Sequence, residues 1–128
     1  MTAYVDSSAI AKLVLVEPES PALRAHLAGD EPWATSALAR TEVIRAVGPA
    51  GPAAVAHARA VLQRADLVAV SLAILEDAAE LTIKHRVRTL DAIHLATAAE
   101  LDHVDELVTY DRRMASVAGD LGFTVTSP

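Results

Sequence analysis

The sequence predicts an α/β fold, a three-layer α/β/α arrangement in which helices cover both faces of a short central parallel sheet. Three observations carry that prediction. Short runs such as Ala3-Tyr4-Val5, Leu67-Val68-Ala69-Val70 and Leu107-Val108 are apolar without alternation, as in strands buried on both faces. Helical stretches stand between these runs and supply the right-handed crossovers that parallel strands need. No repeat, low-complexity run or linker divides the 128 residues, so residues 1–128 are expected to form a single domain.

The elements follow in order. Ala3 to Asp6 is a first strand, and Asp6-Ser7-Ser8 supplies N-caps for a helix from Ala9 to about Val16. Pro18, Glu19 and Pro21 open a second helix, with Pro allowed in its first turn, and Gly29-Asp30 closes it near Ala28. Pro32 to Thr35 is a short strand, and Ser36 caps a helix from Ala37 to Val47. The breaker-rich Gly48-Pro49-Ala50-Gly51-Pro52 has the length of a helix–helix connection. An alanine-rich helix spans Ala53 to Asp66, a strand Leu67 to Val70, and a helix Leu72 to His85, whose end is rich in basic residues that suit a helix C-terminus. Thr89 caps a helix to Leu101, followed by a strand from Glu106 to Thr109, a helix from Arg112 to Leu121 and a strand from Phe123 to Thr126.

Composition narrows the function. Hydrophobic residues make up 52% and charged residues 22%, enough to fill a core and too little charge for a disordered chain. The absence of cysteine excludes disulfides, cysteine-ligated zinc and a cysteine nucleophile. No basic segment leads a long apolar run, and charges interrupt every later apolar stretch; the expectation is a cytoplasmic protein with no membrane association. A net charge of −6 gives no bulk attraction for nucleic acid, so the positions of the carboxylates matter more than their number.

In an open parallel sheet, ligands sit beyond the carboxyl ends of the strands near the switch in strand order. Asp6 ends the first strand and Asp111 lies two residues past the fourth, placing both on that edge. Asp91 is in the first turn of its helix. Glu42 lies at the edge of the apolar arc formed by Ala39, Val43, Ile44, Ala46 and Val47, so it borders the core. Each acid alone also fits an ordinary role: Asp6 as a cap, Asp91 favouring the helix dipole, Asp111 as a turn or cap residue, Glu42 paired with Arg40 or Arg45. Together they would repel one another and be driven toward protonation unless a cation compensates. An all-oxygen donor set favours Mg²⁺ or Mn²⁺ over zinc. Lys12, Arg40, Arg45, Arg86, Arg88, Arg112 and Arg113 lie near these acids in sequence; Lys12 and Arg112 are the leading candidates for guiding a phosphate to the site.

Four segments resemble the PIN-domain family, specifically the VapC toxins of bacterial toxin–antitoxin pairs: Tyr4-Val5-Asp6-Ser7-Ser8-Ala9; Ser36 to Glu42; Leu90 to Ala98, including Asp91-Ala92-Ile93-His94; and Val108 to Met114, with Leu121-Gly122-Phe123 beyond. The resemblance covers the full chain. It implies a Mg²⁺- or Mn²⁺-dependent endoribonuclease, with Asp6, Glu42, Asp91 and Asp111 as the acidic metal-binding quartet. Ser8 and Thr109 match positions beside the first and last acids, and His94, one turn from Asp91, is a further candidate as a donor to phosphate. The resemblance also implies an RNA substrate, a VapB-type antitoxin whose C-terminal segment occupies an apolar groove and occludes the acids, and self-association into a homodimer.

The competing readings are weaker on the residues. An aspartyl-phosphate phosphotransferase places a second Asp two residues after the first, where this chain has Ser8. A receiver domain needs paired acids after the first strand and a lysine ending the last, and Thr124-Val125-Thr126 has none. A catalytically inert PIN module acting by protein or RNA binding is the remaining alternative.

Overall fold

Tyr4 and Val5 are both fully buried, yet they belong to different cores. Successive strand residues face opposite sides of a sheet, so a strand buried on both faces feeds two apolar layers. In the computed structural model, which describes residues 2–128, this strand is β1 (Ala3–Val5). It lies at the centre of a parallel sheet with β2 (Ala34–Ser36), β3 (Asp66–Val68), β4 (Glu106–Val108) and β5 (Val125–Thr126), in the order β3-β2-β1-β4-β5. Tyr4 is in register with Leu107, and Val5 with Val108.

The α/β fold with a parallel sheet is as the sequence predicts. On one face, α1 (Ser7–Val14), α2 (Ser20–His26), α3 (Ala39–Val47) and α4 (Pro52–Gln63) pack Ile10, Leu23, Val43 and Leu62 against Val5 and Val108. On the other, α5 (Leu72–His85), α6 (Thr89–Glu100) and α7 (Arg112–Asp120) pack Ile74, Leu95 and Met114 against Tyr4 and Leu107. Residues Ala92 to Ala98 of α6 are all buried, so this helix is enclosed on every side. His94 is therefore an interior residue.

The chain steps outward from β1 to β2 and β3, then returns to place β4 on the other side of β1. The switch in direction lies between β1 and β4, at the carboxyl ends where Asp6 and Asp111 stand.

Element boundaries differ from the sequence prediction for identifiable reasons. Helix α1 starts at Ser7, because the Asp6 carboxylate itself accepts the Ala9 amide as N-cap, and it stops at Val14. Pro18 disfavours helical backbone at Glu17, and the Ser20 hydroxyl lies 2.7 Å from the Lys12 carbonyl and 2.9 Å from that of Leu15, serving the helix end in place of another turn. Val16 is consequently 86% exposed. Ser36 is the last residue of β2, not the cap of α3; its hydroxyl accepts the Leu38 amide and turns the chain before the helix begins at Ala39. Strand β3 starts at Asp66, whose amide pairs with the Trp33 carbonyl, so α4 ends at Gln63. Arg88, not Thr89, is the N-cap of α6, and β5 shortens to Val125–Thr126.

Leu107 is fully buried at the middle of β4, so Leu107→Ala should cost about 2–5 kcal/mol in urea unfolding. A loss well below that range would mean β4 is not packed from this face.

Candidate active site

Asp6 is held at the end of β1 by three donors. Its Oδ1 accepts from the Ser8 hydroxyl at 2.7 Å and the Ala9 amide at 3.0 Å, and its Oδ2 accepts from the Thr109 hydroxyl at 2.6 Å. Burial pushes its carboxyl above the ordinary range, against these hydrogen bonds, which favour the charged form. Thr109 also accepts the Asp111 amide at 3.0 Å, and Ser8 the Tyr110 amide at 3.2 Å. Ser8 and Thr109 thus tie the loop after β4 to the first acid.

Asp111 caps α7, its Oδ1 accepting the Met114 amide at 2.8 Å. Glu42 reaches in from the first turn of α3, and its Oε1 accepts from the Ser7 hydroxyl and lies against His94 Nε2, each at 2.7 Å. Burial opposes its ionisation, but the hydrogen bonds from His94 and Ser7 hold its carboxyl below the usual range. Asp91, in the first turn of α6, has no side-chain hydrogen bond among the described residues. Its carboxyl is raised by burial, then by repulsion from Asp111, with further contributions from Asp6 and Glu42. The four acids therefore share one electrostatic neighbourhood.

Three of them share a pattern. Each is anchored by the protein and still keeps lone pairs open: Asp111 Oδ2 and Glu42 Oε2 accept no hydrogen bond among the described residues, and Asp6, held through both oxygens, accepts only one at Oδ2. Asp91 leaves both oxygens open. No three His, Asp or Glu side chains among the described residues are closed around an ion-sized space. The donor set is nonetheless hard, oxygen-only and short of positive charge, which fits Mg²⁺ or Mn²⁺ bound partly through water.

The remaining candidates fall in different places. His94 is 2% exposed and is bonded to Tyr4 and Glu42, so it is no free donor to phosphate. Lys12 pairs with Glu17 at 2.6 Å and Glu19 at 3.1 Å, and lies 5.0 Å from the Tyr110 ring centroid; its charge is engaged locally. Arg112 is exposed in the first turn of α7, next to Asp111. Arg40 and Arg45, with Arg59 of α4, line a cavity of about 610 Å³ that contains none of the four acids. Nothing local in the sequence marks Ser7 or Tyr4 as a site residue: Ser7 reads as part of a capping triplet and Tyr4 as an apolar strand residue.

The PIN domain family model matches residues 3–120. The chain belongs to the PIN-domain family. Within it the relatives are VapC proteins: Ribonuclease VapC46 of Mycobacterium tuberculosis is 47% identical over 98% of this chain and 96% of its own length, and Ribonuclease VapC47 of the same species is 37% identical over the same shares. Among solved structures, Mycobacterium tuberculosis VapC20, a sarcin–ricin loop cleaving toxin, superposes with a TM-score of 0.78 at 21% identity, covering 98% of this chain and 99% of that one. A toxin–antitoxin complex from Klebsiella pneumoniae gives 0.74 at 22% identity over 98% and 97% of the two chains. These two likenesses carry the PIN fold.

Asp91→Asn should raise the melting temperature of the metal-free protein at pH 7. A carboxyl raised in the fold destabilises it once ionised, so the gain is present above the folded pKa and vanishes as pH falls below the unfolded value, at about pH 3. Thermal melts of both proteins at the two pH values test this; an equal or lower melting temperature for the variant at pH 7 contradicts the repulsion.

Proposed function

We propose that this VapC-type PIN protein is a divalent-metal-dependent endoribonuclease and the toxin of a toxin–antitoxin pair. The observation that carries the reading is the set of four acids at the sheet's switch point, with anchored and open carboxylate oxygens. The kinship with proteins named Ribonuclease VapC, at up to 47% identity over nearly the full chain, gives the substrate class.

Asp6 and Asp91 would hold the metal directly, and Glu42 and Asp111 would ligate it or act through bound water. Bound Mg²⁺ or Mn²⁺ supplies a Lewis acid for the scissile phosphate and lowers the pKa of a water. No side chain is needed as a nucleophile. Ser8 and Thr109 keep Asp6 ionisable despite its burial, and they fix its distance from Asp111 through the backbone of residues 109–111. Arg112, exposed beside Asp111 in the first turn of α7, is the candidate for guiding a phosphate to the site.

The partners of this reading are RNA, a VapB-type antitoxin and a second copy of the chain. A groove of about 470 Å³ beside α1, α2 and α4, where Leu13, Leu27, Trp33 and Val61 lie among Arg24, His57 and Arg64, is the candidate surface for the antitoxin segment. Leu72 and Ile83 of α5, 81% and 74% exposed, supply apolar surface for self-association. No helix among the described residues is long and apolar enough to cross a membrane.

Purified protein should cleave single-stranded or loop RNA with Mn²⁺ or Mg²⁺ and stop in excess chelator, and Asp6→Asn should slow cleavage by at least about 100-fold. Equal rates with and without chelator contradict the metal mechanism. Full activity of Asp6→Asn contradicts the assignment of Asp6.

A further inference from the structure

Tyr4, on the central strand, reaches the site through His94. Its hydroxyl oxygen lies 3.1 Å from the Ser36 amide and 2.7 Å from His94 Nδ1. The amide donates to the Tyr4 oxygen, and at the other end of the series the Glu42 carboxylate can only accept, so His94 Nε2 is the donor to it and, in a neutral ring, Nδ1 is left to accept the Tyr4 hydroxyl. A neutral imidazole that accepts at Nδ1 carries its hydrogen on Nε2. That nitrogen lies 2.7 Å from Glu42 Oε1 and 3.1 Å from the Ser7 hydroxyl, which donates to the same Oε1 at 2.7 Å. With a neutral His94 ring, the donors from Ser36 through Tyr4 and His94 all run toward the carboxylate.

We propose that Tyr4 and His94 are positioning residues: by fixing the Nε2–H tautomer they clamp Glu42 through Oε1 and present Oε2 as its metal-binding oxygen. The arrangement is built into the core. Tyr4 is fully buried, His94 is 2% exposed in the enclosed helix α6, and their rings meet edge-on with centroids 5.9 Å apart. Burial also raises the Tyr4 phenol far above its ordinary range, keeping it a neutral donor. A glutamate on a helix has three side-chain torsions, and a clamp on one oxygen removes most of that freedom before any ion arrives. Donors behind a metal-binding carboxylate do the same in metal sites generally, where their loss weakens metal binding by about 10–100-fold.

This inference rests on the metal-site reading of Glu42, and its test separates the two. The ring nitrogens of His94 are assigned by ¹⁵N NMR on the metal-free protein, and Mn²⁺ binding is measured by calorimetry for wild type, Tyr4→Phe, His94→Leu, His94→Gln, Glu42→Gln and the double variant Tyr4→Phe with Glu42→Gln. The expected results are an Nε2–H ring and Mn²⁺ affinity about 10-fold weaker in Tyr4→Phe and His94→Leu. His94→Gln, which keeps an N–H near the Nε2 position, should recover most of that loss, and Tyr4→Phe should add no loss in the Glu42→Gln background. An Nδ1–H ring, equal losses in His94→Gln and His94→Leu, or wild-type affinity in the nearly isosteric Tyr4→Phe each overturns the positioning role while leaving the metal site standing. A wild-type protein that binds no Mn²⁺ overturns the metal reading and the role assigned to this relay together.

Discussion

Asp6 is a carboxylate buried at the end of the central strand, and three hydrogen bonds from Ser8, Ala9 and Thr109 are what make an ionisable group tolerable there. Those donors come from α1 and from the end of β4, so the same bonds that stabilise the charge fasten two parts of the chain that lie about a hundred residues apart. Removing a donor would leave a buried carboxylate short of a partner. The cost of such a group, on the order of 1–3 kcal/mol, is comparable to a sizeable fraction of the whole stability of a small domain.

The other acids repeat the device with different helices. Asp6 and Asp111 are N-caps of α1 and α7, so two elements begin where the site is and aim their first-turn amides at its carboxylates. Glu42 is gripped from the core by His94 and Ser7. Asp91 receives no such support, and besides its burial it feels the charges of the other three. The site is thus a balance in which capping and core hydrogen bonds hold three carboxylates against mutual repulsion, and a fourth remains uncompensated. A bound cation, as proposed, would offset that charge.

The sequence made the sheet and the sheet-edge position of Asp6 and Asp111 legible, because continuous apolar runs and their boundaries are local signals. Glu42 at the margin of its apolar arc was legible for the same reason. The contributions of Tyr4 and Ser7 were not, since a tyrosine within an apolar strand reads as core and nothing local indicates where its hydroxyl points. His94 and Lys12 show the same limit from the other side. The burial of residues Ala92 to Ala98 leaves His94 in the interior, bonded to Tyr4 and Glu42, and the turn at Pro18 brings Glu17 and Glu19 onto Lys12. Helix starts moved where side chains took over capping, as Asp6 did for α1.

The central claim is that the four carboxylates form one cation site, and a Mn²⁺ titration followed by thermal unfolding tests it most directly. An ion that binds the folded quartet and not the unfolded chain stabilises the fold by mass action, by about 2.7 kcal/mol at a hundred times its dissociation constant. The melting temperature of the wild type should rise and saturate with Mn²⁺, and that rise should be absent when Asp6 and Asp91 are both replaced by Asn. A melting temperature that does not move across the titration, or that rises equally in the double variant, would contradict the account.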